Sequence, residues 1–291
     1  MSTGSSPQRV KYMVVANWRD SSFFNKGRDR FEVEVARVSV TIITLNEEAN
    51  LSACLDSVKW ADEILVVDSE SHDRTVAIAR DFGCRVLINP WPGHKEQKNV
   101  AVDAASHEWI LSVYADERLT PEIQQEVRKV FSDPDSMDGY KFPRKNYFLG
   151  KWMRYGGWNP DHVLRLFKKD KGRFGGINPH DKVIISSGRV GHLPYPILHL
   201  TYTSFEQYLA KQDVYSRIGA DELFKSGRMK RITSLSLTSK FIGKFLETYL
   251  WKRGCLDGLN GLIASMGGAY FAMLRLARLW EMQRFASKGE S

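Results

Sequence analysis

Residues 108–120, Glu108-Trp109-Ile110-Leu111-Ser112-Val113-Tyr114-Ala115-Asp116-Glu117-Arg118-Leu119-Thr120, hold the transition on which the fold is read. Trp109, Ile110, Leu111 and Val113 form a short apolar run of buried-strand length, and it empties directly into Tyr114-Ala115-Asp116-Glu117. A strand that delivers acidic side chains at its carboxyl end is where an α/β sheet places a ligand site. A carboxylate there suits a hard divalent cation that also holds phosphate oxygens, because Mg²⁺ takes one or two protein carboxylates and fills its shell with water and phosphate. The same two acids also suit the start of the helix after Thr120-Pro121, where the dipole is positive. From these residues alone both readings stand.

Upstream, the stretch Val38 to Thr44 is β-branched almost throughout and reads as a buried strand. Asn46 is placed to cap a helix from Glu47 to Val58. A second apolar run, Glu63 to Ser69, carries Asp68 near its end, and Asp73-Arg74-Thr75 opens a helix that Gly83 stops after Phe82. Arg85 to Ile88 reads as a third strand, Pro90 to Gly93 as a turn, and His94 to Ala105 as a helix leading to the strand at Trp109. This alternation predicts an α/β fold, a mostly parallel central sheet with helices on both faces. It would crowd Thr44, Asn46, Asp68 and Asp116 at one rim. Downstream, a helix over Pro121 to Phe131 precedes shorter strands at Gly139 to Phe148, Val163 to Phe167, Lys182 to Ser186 and Ile197 to Thr201. Three helices follow, Phe205 to Ser226, Ser234 to Lys252 and Leu256 to Arg284. The expected division is an extension over 1–37, in which Val10 to Val15 reads as an edge strand, a catalytic domain over 38–203, and a helical region over 204–291.

A chain of 291 residues with 43% hydrophobic and 26% charged residues excludes wholesale disorder. The net charge of +8 and a pI near 9.3 point to an anionic partner: nucleic acid, anionic lipid or a phosphorylated substrate. Cys54, Cys84 and Cys255 are too few and too scattered for a disulfide framework or a metal knuckle. Residues 1–30 contain no apolar signal core, and the apolar stretch Leu259 to Leu274 falls short of the roughly 20 residues of a spanning helix. In the tail, Lys240, Lys244, Lys252 and Arg253 interleave with Phe241, Ile242, Phe245, Leu246, Tyr249, Leu250 and Trp251. Such basic, aromatic amphipathic helices suit the plane of an anionic membrane, and equally suit packing on a neighbouring domain.

Four segments in order, Thr41 to Glu48, Val66 to Thr75, Gln97-Lys98-Asn99 and Tyr114 to Arg118, resemble the nucleotide-sugar-binding half of the inverting family-2 glycosyltransferases with a GT-A fold. Gly156 to Asp161, Leu164 to Phe167 and Pro179-His180-Asp181 are similar to the lipopolysaccharide-core β-1,4-glucosyltransferases of the WaaE and LgtF type. The resemblance covers about residues 38 to 284. It implies that Thr44 and Glu48 lie near the nucleotide, that Asp68 accepts from the uracil N–H, and that Lys98 meets the diphosphate or holds Asp68. Asp116 would be the final acid of a D-x-D motif ligating Mg²⁺ or Mn²⁺, and His180 a second metal ligand, a partner of the base or a packed loop histidine. Asp181, and after it Asp161, would be the base that deprotonates the acceptor hydroxyl. The implied reaction moves a hexose, glucose first, from a UDP-sugar to a lipopolysaccharide-core heptose or related lipid-linked saccharide. The implied location is peripheral, on the cytoplasmic face of the bacterial inner membrane, with an anionic membrane surface as partner and no nucleic acid.

The family pattern is departed from in two places. Tyr114 stands where the first Asp of D-x-D is expected, and a phenol carries no charge at neutral pH. Glu70 and His72 replace the glycine and threonine of a D-S-G-S-T-D loop, filling a turn that favours positive φ. A catalytically impaired relative that only binds nucleotide or glycan is therefore the alternative expectation.

Overall fold

The β-branched run after residue 37 becomes the strand around which the sheet grows. β1 (Val38–Thr44) lies between β2 (Glu63–Asp68) and β4 (Trp109–Tyr114), parallel to both, and β3 (Arg85–Ile88) extends the sheet beyond β2. A central parallel strand is covered on both faces, which is why these stretches read as apolar runs and do not alternate. The register sets Thr44 beside Asp68 and Asp68 beside Ile88, with Ile43 beside Tyr114. All four strands therefore finish at one rim. The chain winds outward through β2 and β3 and then returns to the other side of β1, so the switch point falls between β1 and β4, where such sheets bind ligands.

The computed structural model describes residues 36–133, 135–176, 181–227 and 232–286, all within the unit Val35–Ser291. The expected edge strand at Val10 to Val15, and His180, lie outside the described residues.

Helices cover both faces as expected. α1 (Glu48–Val58), α2 (Thr75–Asp81) and α4 (Pro121–Ser132) press Leu51, Leu55, Ala79, Ile123 and Val127 onto Val40, Ile42, Trp109, Leu111 and Phe142. α3 (His94–Ala104) covers the opposite face with Ala101 and Val102 against Leu65, Val67 and Ile110. Neighbouring residues of β4 thus serve opposite cores, Trp109 and Leu111 one and Ile110 the other, as the two-residue strand period requires. Trp109 is almost wholly buried, so truncating it to Ala would cost about 3–5 kcal/mol.

Beyond β4 the sheet turns mixed. β8 (His162–Lys168) pairs antiparallel with β4, β6 (Gly139–Phe148) antiparallel with β8, and β12 (Ile197–Tyr202) parallel with β6. The two-residue β5 (Glu117–Arg118) closes this end on β12, and β7 (Lys151–Trp152) and β11 (Val190–His192) add to β6. A hairpin of β9 (Gly172–Gly175) and β10 (Lys182–Ile185) lies over the α3 face, contributing Phe174, Val183 and Ile185 to its core.

The helical region is tied to this sheet. α5 (Phe205–Lys225) starts at Ser204, whose side chain accepts the Gln207 N–H, and α6 (Ser234–Leu246) starts with a reciprocal Thr233/Ser236 capping box. Where one helix was expected to reach Lys252, α6 stops at Leu246 and passes through a π-helical turn, Glu247–Trp251, and a 3₁₀ turn, Gly254–Asp257, into α7 (Gly258–Ala286). Arg253 adopts a left-handed conformation (φ 56°), which ends the helical run after Lys252 and separates it from the 3₁₀ turn. Asp257 then accepts the Arg154 and Tyr155 N–H groups, and Asn260 donates to the Phe148 carbonyl. α7 crosses α5 at Gly267, where a methyl group would overlap the Tyr208 hydroxyl. The helical run Gly254–Phe285 is long and apolar enough to cross a membrane, a property that the shorter expected stretch did not have.

Candidate active site

The loops after β1 and β2 are laced together by their polar side chains. Thr44 Oγ1 and Ser71 Oγ donate to Asp68 Oδ2 at 2.8 and 2.6 Å, and the Ser71 N–H donates to Asp68 Oδ1 at 2.8 Å. Asp68 has no exposed surface, so these internal donors hold the carboxylate. Asn46, expected to cap α1, sits instead at φ 55° and accepts the His72 N–H at 2.9 Å, while its own N–H donates to Ser71 Oγ. Asp73 accepts from the Glu48 N–H at 3.1 Å, and the Glu48 carboxylate accepts the Arg74 N–H at 3.0 Å. These residues hold two turns in register. Glu70 is indeed in the left-handed region, at φ 63°, where the family loop carries glycine.

On the other side of the switch point the polar groups form one continuous chain. Asp181 Oδ2 pairs with Lys98 Nζ at 2.8 Å, and Lys98 donates to the Tyr114 hydroxyl at 2.7 Å. The Arg165 guanidinium stacks 3.9 Å from the Tyr114 ring centre and reaches Glu117 at 2.7 Å. Arg144 lies 3.5 Å from Glu117 and 2.8 Å from Asp161 Oδ2. Asn146 joins Asp161 to His199 at 2.9 and 2.6 Å, and His199 Nε2 stands 3.4 Å from Asp116. Burial on its own would push the Asp116 carboxyl up, but the His199 hydrogen bond and the charges of His199, Lys211 and Arg144 hold it down at about 2. For Tyr114, burial is likewise outweighed by Arg165 and Lys98, which move the phenol below its usual value.

The tautomer of His199 follows from its neighbour. Asn146 Nδ2 donates to the Trp158 carbonyl at 3.1 Å and to Asp161 Oδ2 at 2.9 Å, both acceptors only, so Asn146 Oδ1 must be the atom that faces His199 Nδ1. Nδ1 then carries a proton, and Nε2 faces Asp116 with a second proton when the ring is charged or with a lone pair when it is neutral. At 3.4 Å from the carboxylate, the Nε2 proton of the charged ring bridges the pair, and in the neutral ring the two facing lone pairs call for a cation in its place. Among the described residues no group of three or more His, Cys, Asp or Glu side chains could hold a metal ion. A pair consisting of one carboxylate oxygen and one oriented imidazole nitrogen fits a divalent cation whose remaining ligands come from phosphate and water.

The model of glycosyl transferase family 2 matches residues 39–189. This chain belongs to glycosyltransferase family 2. Over 264 residues the transferase is 31% identical to the lipopolysaccharide core biosynthesis glycosyltransferase LpsC of Rhizobium meliloti, covering 86% of this chain and 94% of that protein. It is 33% identical over 258 residues to an uncharacterized glycosyltransferase of Rickettsia felis, covering 84% of this chain and 90% of that protein. Among solved structures, the mannosyltransferase PcManGT from Pyrobaculum calidifontis shares the fold with a TM-score of 0.50 at 14% identity, over 85% of this chain and 88% of that one.

The transferase brings Tyr114, Asp116, Lys98, Asp161 and Asp181 into this one network, whereas Thr44, Glu48 and Asp68 hold the neighbouring loops. Lys98 does not hold Asp68; it is buried with Asp181. Several residues of the transferase's site carried no assignment from sequence: His199, Asn146, Arg144, Lys211 and Glu47. Lys211 Nζ lies 3.6 Å from Asp116. The carboxyl of Glu47 is pushed up by burial and by the charge of Asp116, against an Asn50 hydrogen bond and Lys211, which places it beside the same centre. His199 had one signal, a histidine set between two leucines in a short strand.

Proposed function

We propose that this glycosyltransferase moves a hexose, glucose first among candidates, from a UDP-sugar to a lipopolysaccharide-core heptose or related lipid-linked saccharide with inversion, using Mn²⁺ or Mg²⁺. The observation that carries the reading is the Asp116/His199 pair, with Asn146 fixing the ring so that Nε2 faces the carboxylate. A divalent ion held there would stabilise the negative charge that grows on a departing nucleoside diphosphate. Lys211, beside Asp116, adds a cation at the same place. The similarity to LpsC supports the acceptor class, and the order of motifs resembling the WaaE and LgtF type supports UDP. PcManGT, solved with GDP-mannose and Mn²⁺, keeps a guanine donor as the competing reading. Recognition of a base by Asp68 would require Ser71 or Thr44 to release it.

For the base, Asp161 takes precedence over Asp181. Asp161 is 26% exposed at its side chain, with Oδ2 fixed by Arg144 and Asn146 while Oδ1 takes no hydrogen bond among the described residues. Asp181 is 1% exposed and locked to Lys98. In the transfer, the acceptor oxygen bonds to C1 as the C1–O bond to the diphosphate breaks, and the acceptor proton passes to Asp161. Asp161→Asn should lower turnover about 10²–10⁴-fold without changing donor binding.

The turn between α6 and α7 supports a peripheral place at the inner membrane. Trp251 is 85% exposed and Leu259 70%, with Leu250 and Leu256 also exposed and Arg253 beside them. α7 is tied along its length to Phe148, Tyr208 and Asp213, which favours a helix lying on the domain over one that leaves it to span a bilayer. Trp251→Ser should weaken sedimentation with anionic vesicles. A thermal-shift screen of UDP-, GDP- and dTDP-sugars with and without Mn²⁺ tests the donor: stabilisation by UDP-sugars that needs the metal is expected, and a response to GDP-sugars alone would overturn it.

A further inference from the structure

A cavity of about 460 Å³ lies between α5 and α7, at the end of β12, lined among others by Tyr202, Gln212, Tyr215, Glu222, Phe271 and Arg275. Its composition is that of a saccharide site: three aromatic rings for the apolar faces of a sugar, and a few polar groups for its hydroxyls. Two of those polar atoms are buried and unpaired, Gln212 Oε1 and Arg275 Nε. Arg275 is half-buried, and its Nε is shut off from solvent without an acceptor, which is costly for an N–H donor. Glu222 lines the same cavity without pairing to it. Nor is Arg275 loose: its side chain lies across α5 at Gly219, where a Cβ would come 2.7 Å from Arg275 Cδ. The fold thus sets a half-buried guanidinium with an unpaired Nε on the wall of an aromatic-lined hollow, and such a fork matches a carboxylate or phosphate.

The cavity adjoins the centre described above. Tyr202 is three residues beyond His199 on β12, and Lys211 Nζ lies 5.4 Å from the Tyr202 ring centre and 3.6 Å from Asp116. The charge of Asp116 is also felt by the Tyr202 and Tyr215 phenols, which burial chiefly, and Asp116 in part, push up.

We infer that this cavity is an acceptor subsite that seats an acidic sugar, its carboxylate or phosphate on Arg275, a hydroxyl donating to Gln212 Oε1, and its ring against Tyr202, Tyr215 or Phe271. The assignment as an acceptor subsite rests on the transferase reading above, whereas the binding of an acidic sugar does not. The test is therefore direct binding to the full chain, read by calorimetry, with four probes: a methyl hexuronide, a hexose 6-phosphate, a neutral methyl hexoside and inorganic phosphate. One acidic sugar should bind at least tenfold tighter than both the neutral hexoside and inorganic phosphate, and whichever it is tells carboxylate from phosphate. Arg275→Gln should abolish that tenfold preference, and Gly219→Ala, which displaces the arginine, should do the same. The UDP-dependent thermal shift of both variants should match that of the unmodified chain, which also reports that they fold. Equal affinity for acidic and neutral sugars, phosphate binding as tightly as either sugar, or an unchanged preference in both variants would overturn the assignment. Loss of UDP-sugar binding in the unmodified chain would instead strike the donor reading and leave the acidic-sugar result standing.

Discussion

Asp68 and Asp116 look alike in sequence, each an acid where an apolar strand gives out, yet the fold uses them in opposite ways. Asp68 is saturated: a backbone N–H and two hydroxyls fill its oxygens, and no surface is left for a ligand. Asp116 has its basic neighbours at longer range, His199 at 3.4 Å and Lys211 at 3.6 Å, with its side chain 15% exposed. Close neutral donors make a turn rigid, whereas distant cationic groups leave a carboxylate charged and available. Substituting each acid by its amide should therefore separate the two jobs. Asp116→Asn should reduce transfer by about 10³-fold, the loss expected when charge stabilisation at a departing group is removed. Asp68→Asn should instead lower stability by about 1–3 kcal/mol, as partners of a buried acceptor are left mismatched. Kinetics and thermal melts on the same pair read the contrast directly; a large kinetic effect at Asp68 with an unchanged melt would erase the distinction and return that residue to the nucleotide.

The second way to sharpen the comparison goes through Asn146, which touches His199 and Asp161 but stands one step from Asp116. Asn146→Ala frees the imidazole to rotate or change tautomer. Loss of an oriented outer partner costs about 10–100-fold in metal affinity, so the Mn²⁺ concentration giving half-maximal activity should rise by that factor. Because Asp161 loses a partner as well, the pH–rate profile should shift too. An unchanged metal requirement would mean that His199 is not a ligand.

How much of this was legible beforehand differs between the two halves of the rim. The strands before residue 115 announced themselves, because the parallel strands β1, β2 and β4, buried over most of their length, are written as apolar runs, and the edge strand β3 still carries three apolar residues in Val86-Leu87-Ile88. After it, β5, β7 and β11 are two or three residues long and have no period to detect. The antiparallel insertion of β8 between β4 and β6 is a long-range pairing that no local pattern encodes. The site shows the same division. Asp116 was legible from its strand end, while His199, Asn146 and Lys211 come from β12, β6 and α5 and meet it only through tertiary packing. Tyr114 was read as a missing charge. Its ring in fact fills the space between Lys98 and Arg165, so the position is shaped by two cations and the phenol is held between them.

Acid titration offers a smaller, signed test of the Asp116 environment. Its folded pKa of about 2 lies below the ordinary value of 3.8, so the ionised form stabilises the fold. That contribution, about 2 kcal/mol, is fully present above pH ~4 and is lost as the pH falls toward ~2. The melting temperature of the unmodified chain should exceed that of Asp116→Asn by a few degrees near neutrality, and the two curves should converge in that window. Curves that stay parallel down to pH ~2 would place Asp116 in bulk solvent, away from His199 and Lys211.

The smallest effect belongs to the saturated side. Glu70 is held at φ 63° between Asp68 and Ser71, a conformation that costs a non-glycine residue roughly 1 kcal/mol. The loop tolerates it because the bonds to Asp68, Asn46 and Asp73 over-determine the backbone that follows it, at Ser71, His72 and Thr75. Glu70→Gly should relieve that strain while adding freedom to the unfolded chain, so the net gain should stay under about 1 kcal/mol. Transfer kinetics should not move, since nothing on this side of the rim is expected to reach the reacting sugar. If activity rose with stability, the glutamate would be restraining a loop that the donor has to open, and Asp68 would belong with Asp116 after all.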